Sequence, residues 1–237
     1  MAAALRSIAN GANIDYNGSR KDRCEDLSMR SDDFAHQREQ MVDHQIRGRG
    51  VTDPFVLGAM KKIPRERFVP VAEQQRSYHD GPLGIGFEQT ISQPFIVAYM
   101  TEKLELGGSE RILELGTGSG YQTAVLAEIS AWVYTVEVVP ELARRAMRLL
   151  QQEMGYENIE FRVGNGREGW VANAPYDRIL LTAAPEEVPR PILDQLGEGG
   201  VAVAPVGRYH QQLIQYRKTE GRVVETPLIG VSFVPFI

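Results

Sequence analysis

The sequence predicts an α/β protein with a doubly wound, mostly parallel sheet that carries helices on both faces. From Arg111 onward, short apolar strand patterns alternate with helical patterns, which is typical of a parallel sheet covered on both sides. The first of these strands runs directly into a glycine-rich turn and then a helix, which is the arrangement of nucleotide-binding folds. We also expect an N-terminal helical flank and antiparallel strands at the C-terminal end.

Length and composition limit the classes of protein to which the chain can belong. Its 237 residues, 43% hydrophobic and 24% charged, suffice for an α/β domain with a sizeable core. The net charge of −5 gives no electrostatic reason to expect nucleic acid or membrane as a partner. The single cysteine, Cys24, excludes an internal disulfide framework, and the four histidines lack metal-ligand spacing. We therefore expect a cytoplasmic protein without a metal, and we take it to be a monomer.

The N-terminal part holds helices and loops. Residues 1–33 show little hydrophobic periodicity and are predicted to be a disordered extension, whereas residues 34–237 are predicted to form a single domain. The segments predicted in that domain before the first strand are a helix at Phe34–Arg49, a helix that starts at Thr52-Asp53-Pro54 and ends at Pro64, a loop at Ser77–Ile91, and an apolar helix at Phe95–Leu106.

The rest of the chain alternates between strands and helices before it becomes antiparallel. The predicted strands are Arg111–Leu115, Trp132–Val138, Ile159–Val163, Asp177–Thr182, Gly200–Val206, Gln212–Lys218 and Val223–Val234. The predicted helices are Tyr121–Ser130, Pro140–Met154 and Val188–Leu196.

A glycine-rich turn follows the first strand. After Glu114 come Gly116, Gly118 and Gly120, and Thr117 lies between the first two. Glycine lets the backbone approach a ligand closely, although a plain tight connection between strand and helix would explain the glycines too. The spacing is G-x-G-x-G, not the G-x-G-x-x-G of dinucleotide folds, and the lysine of a phosphate-binding loop is absent. An adenosine cofactor bound without such a loop indicates S-adenosylmethionine more than ATP.

Two further features fall at the ends of the next strands, where open α/β sheets bind their ligands. Glu137 lies 23 residues after Glu114, and its carboxylate could accept both hydroxyl protons of a ribose. Asn165 and Gly166 end the third strand, where a side-chain carbonyl could accept from an adenine amino group. Taken singly, these residues could be a surface acid and an ordinary turn. Their occurrence at successive strand ends favours a binding site.

A short polar stretch, Thr90-Ile91-Ser92-Gln93-Pro94, precedes the apolar helix upstream of the sheet. A serine beside the cap and a proline in the first turn are explained by helix initiation alone. A helix start with two hydroxyls would also suit an anion such as a carboxylate. The pattern by itself leaves both interpretations open.

Together these motifs resemble a known family. Glu114–Tyr121 with Glu137 is similar to the cofactor site of the Rossmann-like class I S-adenosylmethionine-dependent methyltransferases. Within that class, Thr90–Pro94, Thr182-Ala183-Ala184-Pro185 and Phe233-Val234-Pro235 resemble the protein-L-isoaspartate O-methyltransferase family. The resemblance covers the chain from about residue 41 to its end.

The resemblance implies methyl transfer from S-adenosylmethionine to the α-carboxylate of L-isoaspartyl residues in damaged proteins and peptides, which begins their repair. A carboxylate with a pKa of about 3.5 is already ionised at pH 7, so the reaction needs no general base. The resemblance implies that Ser92 is the active-site residue and that Thr90 helps to line its pocket. The residues expected to contact the cofactor are Glu114, Gly116, Thr117, Gly118, Gly120, Glu137, Asn165 and Gly166.

The chain departs from the family at one position, because Gly164-Asn165-Gly166 stands where the family usually has Gly-Asp-Gly. The oxygen of Asn165 can still accept a hydrogen bond, so the departure bears on affinity more than on identity. Three alternatives stay open on the sequence: a carboxyl methyltransferase for another substrate, a non-catalytic cofactor-binding module, and an NAD-dependent oxidoreductase. The last fits the fold but not the glycine spacing.

Overall fold

The computed structural model describes residues 33–236 and contains a seven-stranded sheet with the strand order β5-β4-β3-β6-β7-β8-β9. The first five strands of that order are parallel, β8 pairs antiparallel with β7, and β9 pairs antiparallel with β8. The fold prediction is therefore confirmed. The sheet strands are β3 at Arg111–Leu115, β4 at Trp132–Glu137, β5 at Ile159–Val163, β6 at Tyr176–Leu181, β7 at Leu196–Val206, β8 at Gln211–Thr219 and β9 at Arg222–Val231.

The helices flank this sheet and precede it in the chain. The first helix, α1, covers residues 33–40 and continues through a π-helical turn at Met41–Ile46 and a 3-10 turn at Arg47–Arg49. The other helices are α2 at Pro54–Lys62, α3 at Pro94–Lys103, α4 at Tyr121–Ile129, α5 at Pro140–Met147 and α6 at Arg190–Asp194. No helix within residues 33–236 is both long enough and apolar enough to cross a bilayer.

Two apolar cores lie on opposite faces of the sheet because successive strand residues point to opposite sides. Ile112 belongs to the core that contains α4, whereas its neighbour Leu113 belongs to the core that contains Ile192 of α6. Val133 and Tyr134 of β4 divide between the same two cores. Covering helices on both faces explains why these strands read as nearly continuous apolar runs.

One segment of the sequence prediction is wrong. Ser77–Ile91 was expected to be a loop, but Leu83–Gly86 and Gln89–Ile91 form an antiparallel hairpin, β1 and β2, in which Leu83 pairs with Ile91. The turn residues Phe87 and Glu88 have φ values of 54° and 58°. Tight hairpin turns with positive φ usually contain Asn or Gly, so this turn lacks the residues that would have predicted it.

The prediction about residues 1–33 falls almost wholly outside the described residues, since the structure describes the chain from residue 33. The division into an extension and a single domain at 34–237 therefore stays a prediction.

Candidate functional site

A cleft opens at the carboxyl ends of the parallel strands. The sheet order reverses at β3, which has β4 on one side and β6 on the other, and ligands of open α/β folds bind at such a point. The empty volume of the cleft, with its open mouth, is ≈ 860 Å³, which suits a small-molecule ligand. The cleft is lined by Gln89, Thr90, Ile91, Ser92, Val97, Met100, Gly116, Thr117, Gly118, Ser119, Tyr121, Gln122, Val136, Glu137, Val138, Gly166, Thr182, Ala183, Phe233, Val234, Pro235 and Phe236.

The glycine turn forms the floor of the cleft, where Gly116 and Gly118 expose backbone between the side chains of Thr117 and Ser119. Gly116 has a φ of 107°, and a Cβ there would overlap the hydroxyl of Thr182, which donates to the Gly116 carbonyl over 2.5 Å. Gly120 serves a different contact, because a Cβ there would lie 3.1 Å from both Ala146 and Leu150. The turn therefore needs glycine at 116 to approach β6 and at 120 to pack α4 against α5 and its extension.

Glu114 lies behind this turn and is fully buried. The parallel register sets it beside Thr135, whose hydroxyl donates to Glu114 Oε2 over 2.7 Å, and Thr123 donates to the same oxygen over 2.6 Å. Thr117, which lines the cleft, lies 2.6 Å from the Thr135 hydroxyl and so connects to the acid indirectly. Burial raises the pKa of Glu114 to about 8, and the hydroxyl bonds and the nearby Glu137 modify that shift. Glu114 thus supports the turn from below.

Glu137 ends β4 and faces the cleft. Its Oε2 accepts from the backbone N–H of Gly118 over 2.7 Å, and its Oε1 accepts from the N–H of Val139 over 2.9 Å. Each carboxylate oxygen has a second lone pair, so both can also accept a hydroxyl proton from a ligand. The acid therefore holds the glycine turn and remains able to bind a diol.

Asn165 and Gly166 follow β5, but only one of them lines the cleft. Gly166 is buried against Phe236 and Leu115, where a Cβ would come within 3.2 Å of the Phe236 ring. The exposed Asn165 caps a short 3-10 turn by accepting from the N–H of Arg167 over 2.8 Å. Its role toward a ligand stays a prediction.

Ser92 and Thr90 enter the cleft from the other side, where β2 leads into α3. Gln93 is the N-cap of α3 and Pro94 its first residue, and no side chain caps the helix. The first helical N–H groups are therefore available to a ligand. The Ser92 carbonyl accepts from the buried Arg65 over 2.7 Å, which fixes the backbone at this point.

The C-terminal segment closes the cleft beside β6. Ala184 donates to the carbonyl of Val234 over 2.8 Å, and Phe236 donates back to the carbonyl of Ala184 over 2.9 Å. The sequence motif 182–185 is thus in direct contact with the motif 233–235 and with Phe236, which follows it. They form one wall of the site.

The structure brings most of the predicted site residues together. Seven of them line the cleft: Thr90, Ser92, Gly116, Thr117, Gly118, Glu137 and Gly166. Glu114, Gly120 and Asn165 lie outside the lining. Gly120 contributes through packing, and Glu114 and Asn165 contribute through hydrogen bonds. Sequence reasoning missed Thr182 as a site residue although its motif was noticed, and it missed Phe236, which directly follows the motif 233–235. It also missed Gln122, which lines the cleft and donates to Thr101 over 2.9 Å.

The donor set of the cleft fits S-adenosylmethionine. Among the described residues that line it, Glu137 is the only charged side chain. A carboxylate suits ribose hydroxyls and would repel phosphate, while the apolar walls suit the aromatic part of an adenosine ligand. Among residues 33–236, no three His, Cys, Asp or Glu side chains are grouped as a metal would need.

Comparison with known proteins finds relatives in one family. The family model for protein-L-isoaspartate(D-aspartate) O-methyltransferase matches residues 36–237. A protein-L-isoaspartate O-methyltransferase of Methanoculleus marisnigri is 53% identical over 210 residues, covering 88% of this chain and 95% of the relative. Another, from a Picosynechococcus species, is 53% identical over 198 residues, covering 84% and 89%.

Solved structures agree in fold. A protein-L-isoaspartate O-methyltransferase structure, 29% identical, has a TM-score of 0.74 and covers 84% of this chain and 65% of its own. A Plasmodium falciparum structure described as such an enzyme, in complex with S-adenosyl-L-homocysteine, also has a TM-score of 0.74. It covers 84% of this chain and 98% of its own, and at 23% identity it supports the fold alone.

Proposed function

The chain belongs to the protein-L-isoaspartate O-methyltransferase family, and we propose that the cleft at the carboxyl ends of β3, β4 and β6 is its active site. The protein is an S-adenosylmethionine-dependent enzyme that methylates the α-carboxylate of L-isoaspartyl residues, the first step in the repair of damaged proteins. The observation that carries the site proposal is that Ser92 and Thr90 share one cleft with Glu137 and the glycine turn.

Ser92 and the start of α3 bind the methyl acceptor in this proposal. The α-carboxylate of the substrate is ionised at neutral pH, so the site has to orient it and does not have to deprotonate it. A hydroxyl and the free N–H groups at a helix start are suitable donors to a carboxylate. Alignment of two reactants in this way can supply about 7–11 kcal/mol of the barrier.

The opposite side of the cleft binds the cofactor. When bound, S-adenosylmethionine would supply the methyl group from its sulfonium, and the neutral thioether of S-adenosylhomocysteine would be the leaving group. Glu137 accepts the ribose hydroxyls, and the turn Gly116–Gly120 approaches the ligand with its backbone. Asn165 and Gly166 lie on the adenine side, and the segment 233–236 with Met100 and Val138 excludes water. Glu114 acts indirectly, by holding Thr117 and the turn in place.

Compartment and assembly are further parts of the proposal. We infer a cytoplasmic monomer, and the single cysteine, which excludes an internal disulfide framework, supports the compartment. Size-exclusion chromatography with light scattering would test the assembly, since a dimer mass at micromolar concentration would contradict it.

A labelled-methyl assay with two peptides of identical sequence tests the function. One peptide carries an L-isoaspartyl residue and the other a normal aspartyl residue at the same position. Label transferred from S-adenosylmethionine to the isoaspartyl peptide alone supports the proposal. Equal labelling of both peptides, or of neither, would overturn the stated substrate.

A further inference from the structure

Arg65 is a fully buried arginine immediately behind the acceptor side of the cleft. It begins a 3-10 turn at Arg65–Phe68 after α2. Its Nε donates to the carbonyl of Ser77 over 2.7 Å, and its Nη2 donates to the carbonyl of Ser92 over 2.7 Å. Within the described part of the chain, the buried Nη1 has no hydrogen-bond partner.

No ion pair neutralises this guanidinium among residues 33–236. Its neighbour is the ring of Tyr121, whose centroid lies 4.9 Å from the guanidinium carbon. The acids nearby along the chain have other cations: Glu66 pairs with Arg38, and Asp80 pairs with Arg49. Burial lowers the pKa of Arg65 to about 10, so it is still charged at pH 7. Burying an unpaired charge costs several kcal/mol. The two hydrogen bonds to carbonyls do not account for a charged residue here, because the neutral amide of a glutamine could donate both of them.

The charge of Arg65 lies directly behind the wall of the cleft. Ser92 and Tyr121, the two residues that Arg65 contacts on this side, both line the cleft. The described residues of the cleft lining include no Lys or Arg that could attract an anionic substrate. A carboxylate bound at Ser92 would therefore have Arg65 behind the wall, in a region of low polarity where charges interact strongly.

We propose that Arg65 is a positioning residue for the methyl acceptor: it fixes the Ser92 backbone, and its charge makes the cleft select a carboxylate over a neutral group. This inference rests on the proposed isoaspartyl methyl transfer. The two hydrogen bonds set the direction of Ser92. The charge acts through Ser92 and Tyr121, without contact with the substrate.

Binding of two peptides separates the charge from the packing. One peptide carries the isoaspartyl residue, and the other carries its α-carboxamide analogue, which has no charge at the reacting group. Both are titrated into the enzyme loaded with S-adenosylhomocysteine, and the ratio of their Kd values measures the preference for the carboxylate. Arg65→Gln should reduce this ratio about 10- to 30-fold, as expected for one charge at roughly 8 Å and an effective dielectric of about 20. Arg65→Lys should keep most of the preference while it lowers kcat, because it retains the charge and loses the paired bonds.

Arg111→Gln is the matched control, since Arg111 also donates to two backbone carbonyls and lies over a tyrosine ring, but it stands at the first residue of β3, away from the cleft. It should leave the Kd ratio unchanged. An unchanged ratio in Arg65→Gln, with both peptides weakened equally, would overturn the inference, and so would loss of the preference in Arg65→Lys. The Lys variant decides the question if the Gln variant does not fold. Methylation by the wild-type enzyme is measured in parallel, so that failure of the function is distinguished from failure of this inference.

Discussion

The Glu137 carboxylate accepts a 2.7 Å hydrogen bond from the backbone N–H of Gly118. This bond joins the acid at the end of β4 to the glycine turn at the end of β3. The residue proposed to bind the ribose therefore also sets the position of the turn, so one substitution affects both.

Glu137→Gln should weaken cofactor binding. An amide oxygen is a poorer acceptor than a carboxylate, and hydrogen bonds to charged groups contribute about 1.5–3 kcal/mol, so the Kd of S-adenosylhomocysteine should rise about 10- to 100-fold. Isothermal titration calorimetry measures this change. The control is Glu141→Gln, whose exposed side chain pairs with Arg144 and which should bind as the wild type does. Equal affinities for all three proteins would exclude Glu137 from the site.

Gly116→Ala should destabilise the fold through a steric clash as well as backbone strain. The new Cβ would overlap the Thr182 hydroxyl, and the residue has a φ of 107°. Gly50→Ala is the matched control, because Gly50 has a φ of 95° and nothing within 4 Å of an added Cβ. Strain alone costs about 1–2 kcal/mol, and the clash should bring the Gly116 variant to about 3 kcal/mol or more in urea unfolding. Equal losses in the two variants would show that Thr182 does not constrain the turn.

Glu114→Gln should change the pH dependence of stability. The pKa of Glu114 is raised from 4.5 to about 8, so the native state keeps a proton that the unfolded state releases between these values. The free energy of unfolding of the wild type therefore falls as the pH rises from 4.5 to 8, whereas Gln stays neutral throughout. The stability of the variant relative to the wild type should rise by a few kcal/mol between pH 5 and pH 8. A difference that does not vary with pH would contradict the buried, protonated acid.

Asn165→Asp should tighten cofactor binding. If Asn165 accepts from the adenine amino group, a carboxylate at this position accepts more strongly, and the Kd of S-adenosylhomocysteine should fall up to about 10-fold. The new side chain can still cap the turn at Arg167, so stability should change little. An unchanged Kd would mean that the exposed side chain serves only as a cap.

The sequence predicted the central parallel strands β3 and β4 well because they are buried on both faces, and the edge strand β5 because a clear turn signal follows it. Arg111–Leu115 and Ile159–Val163 are found with the predicted bounds. It missed the β1–β2 hairpin, since Phe87 and Glu88 occupy turn positions that normally carry Asn or Gly.

The sequence placed Gly116 and Glu137 at strand ends, and the structure shows that both line the cleft. Ser92 was expected there from the family resemblance, because helix initiation explained its local pattern equally well. Contacts between distant parts of the chain could not be predicted. Thr135 reaches Glu114 only through the β3–β4 register, and Arg65 reaches Ser92 only through tertiary packing. Neither contact has a local sequence signal.

The central claim is that Ser92 binds the substrate carboxylate and leaves cofactor binding to the other side of the cleft. Steady-state methylation of an isoaspartyl peptide by Ser92→Ala, with calorimetry of S-adenosylhomocysteine binding on the same sample, tests it most directly. We expect turnover to fall about 10- to 100-fold, the loss of one hydrogen bond to a charged group, with the Kd of the cofactor product unchanged. Wild-type turnover in Ser92→Ala, or a parallel loss of cofactor binding, would contradict the account.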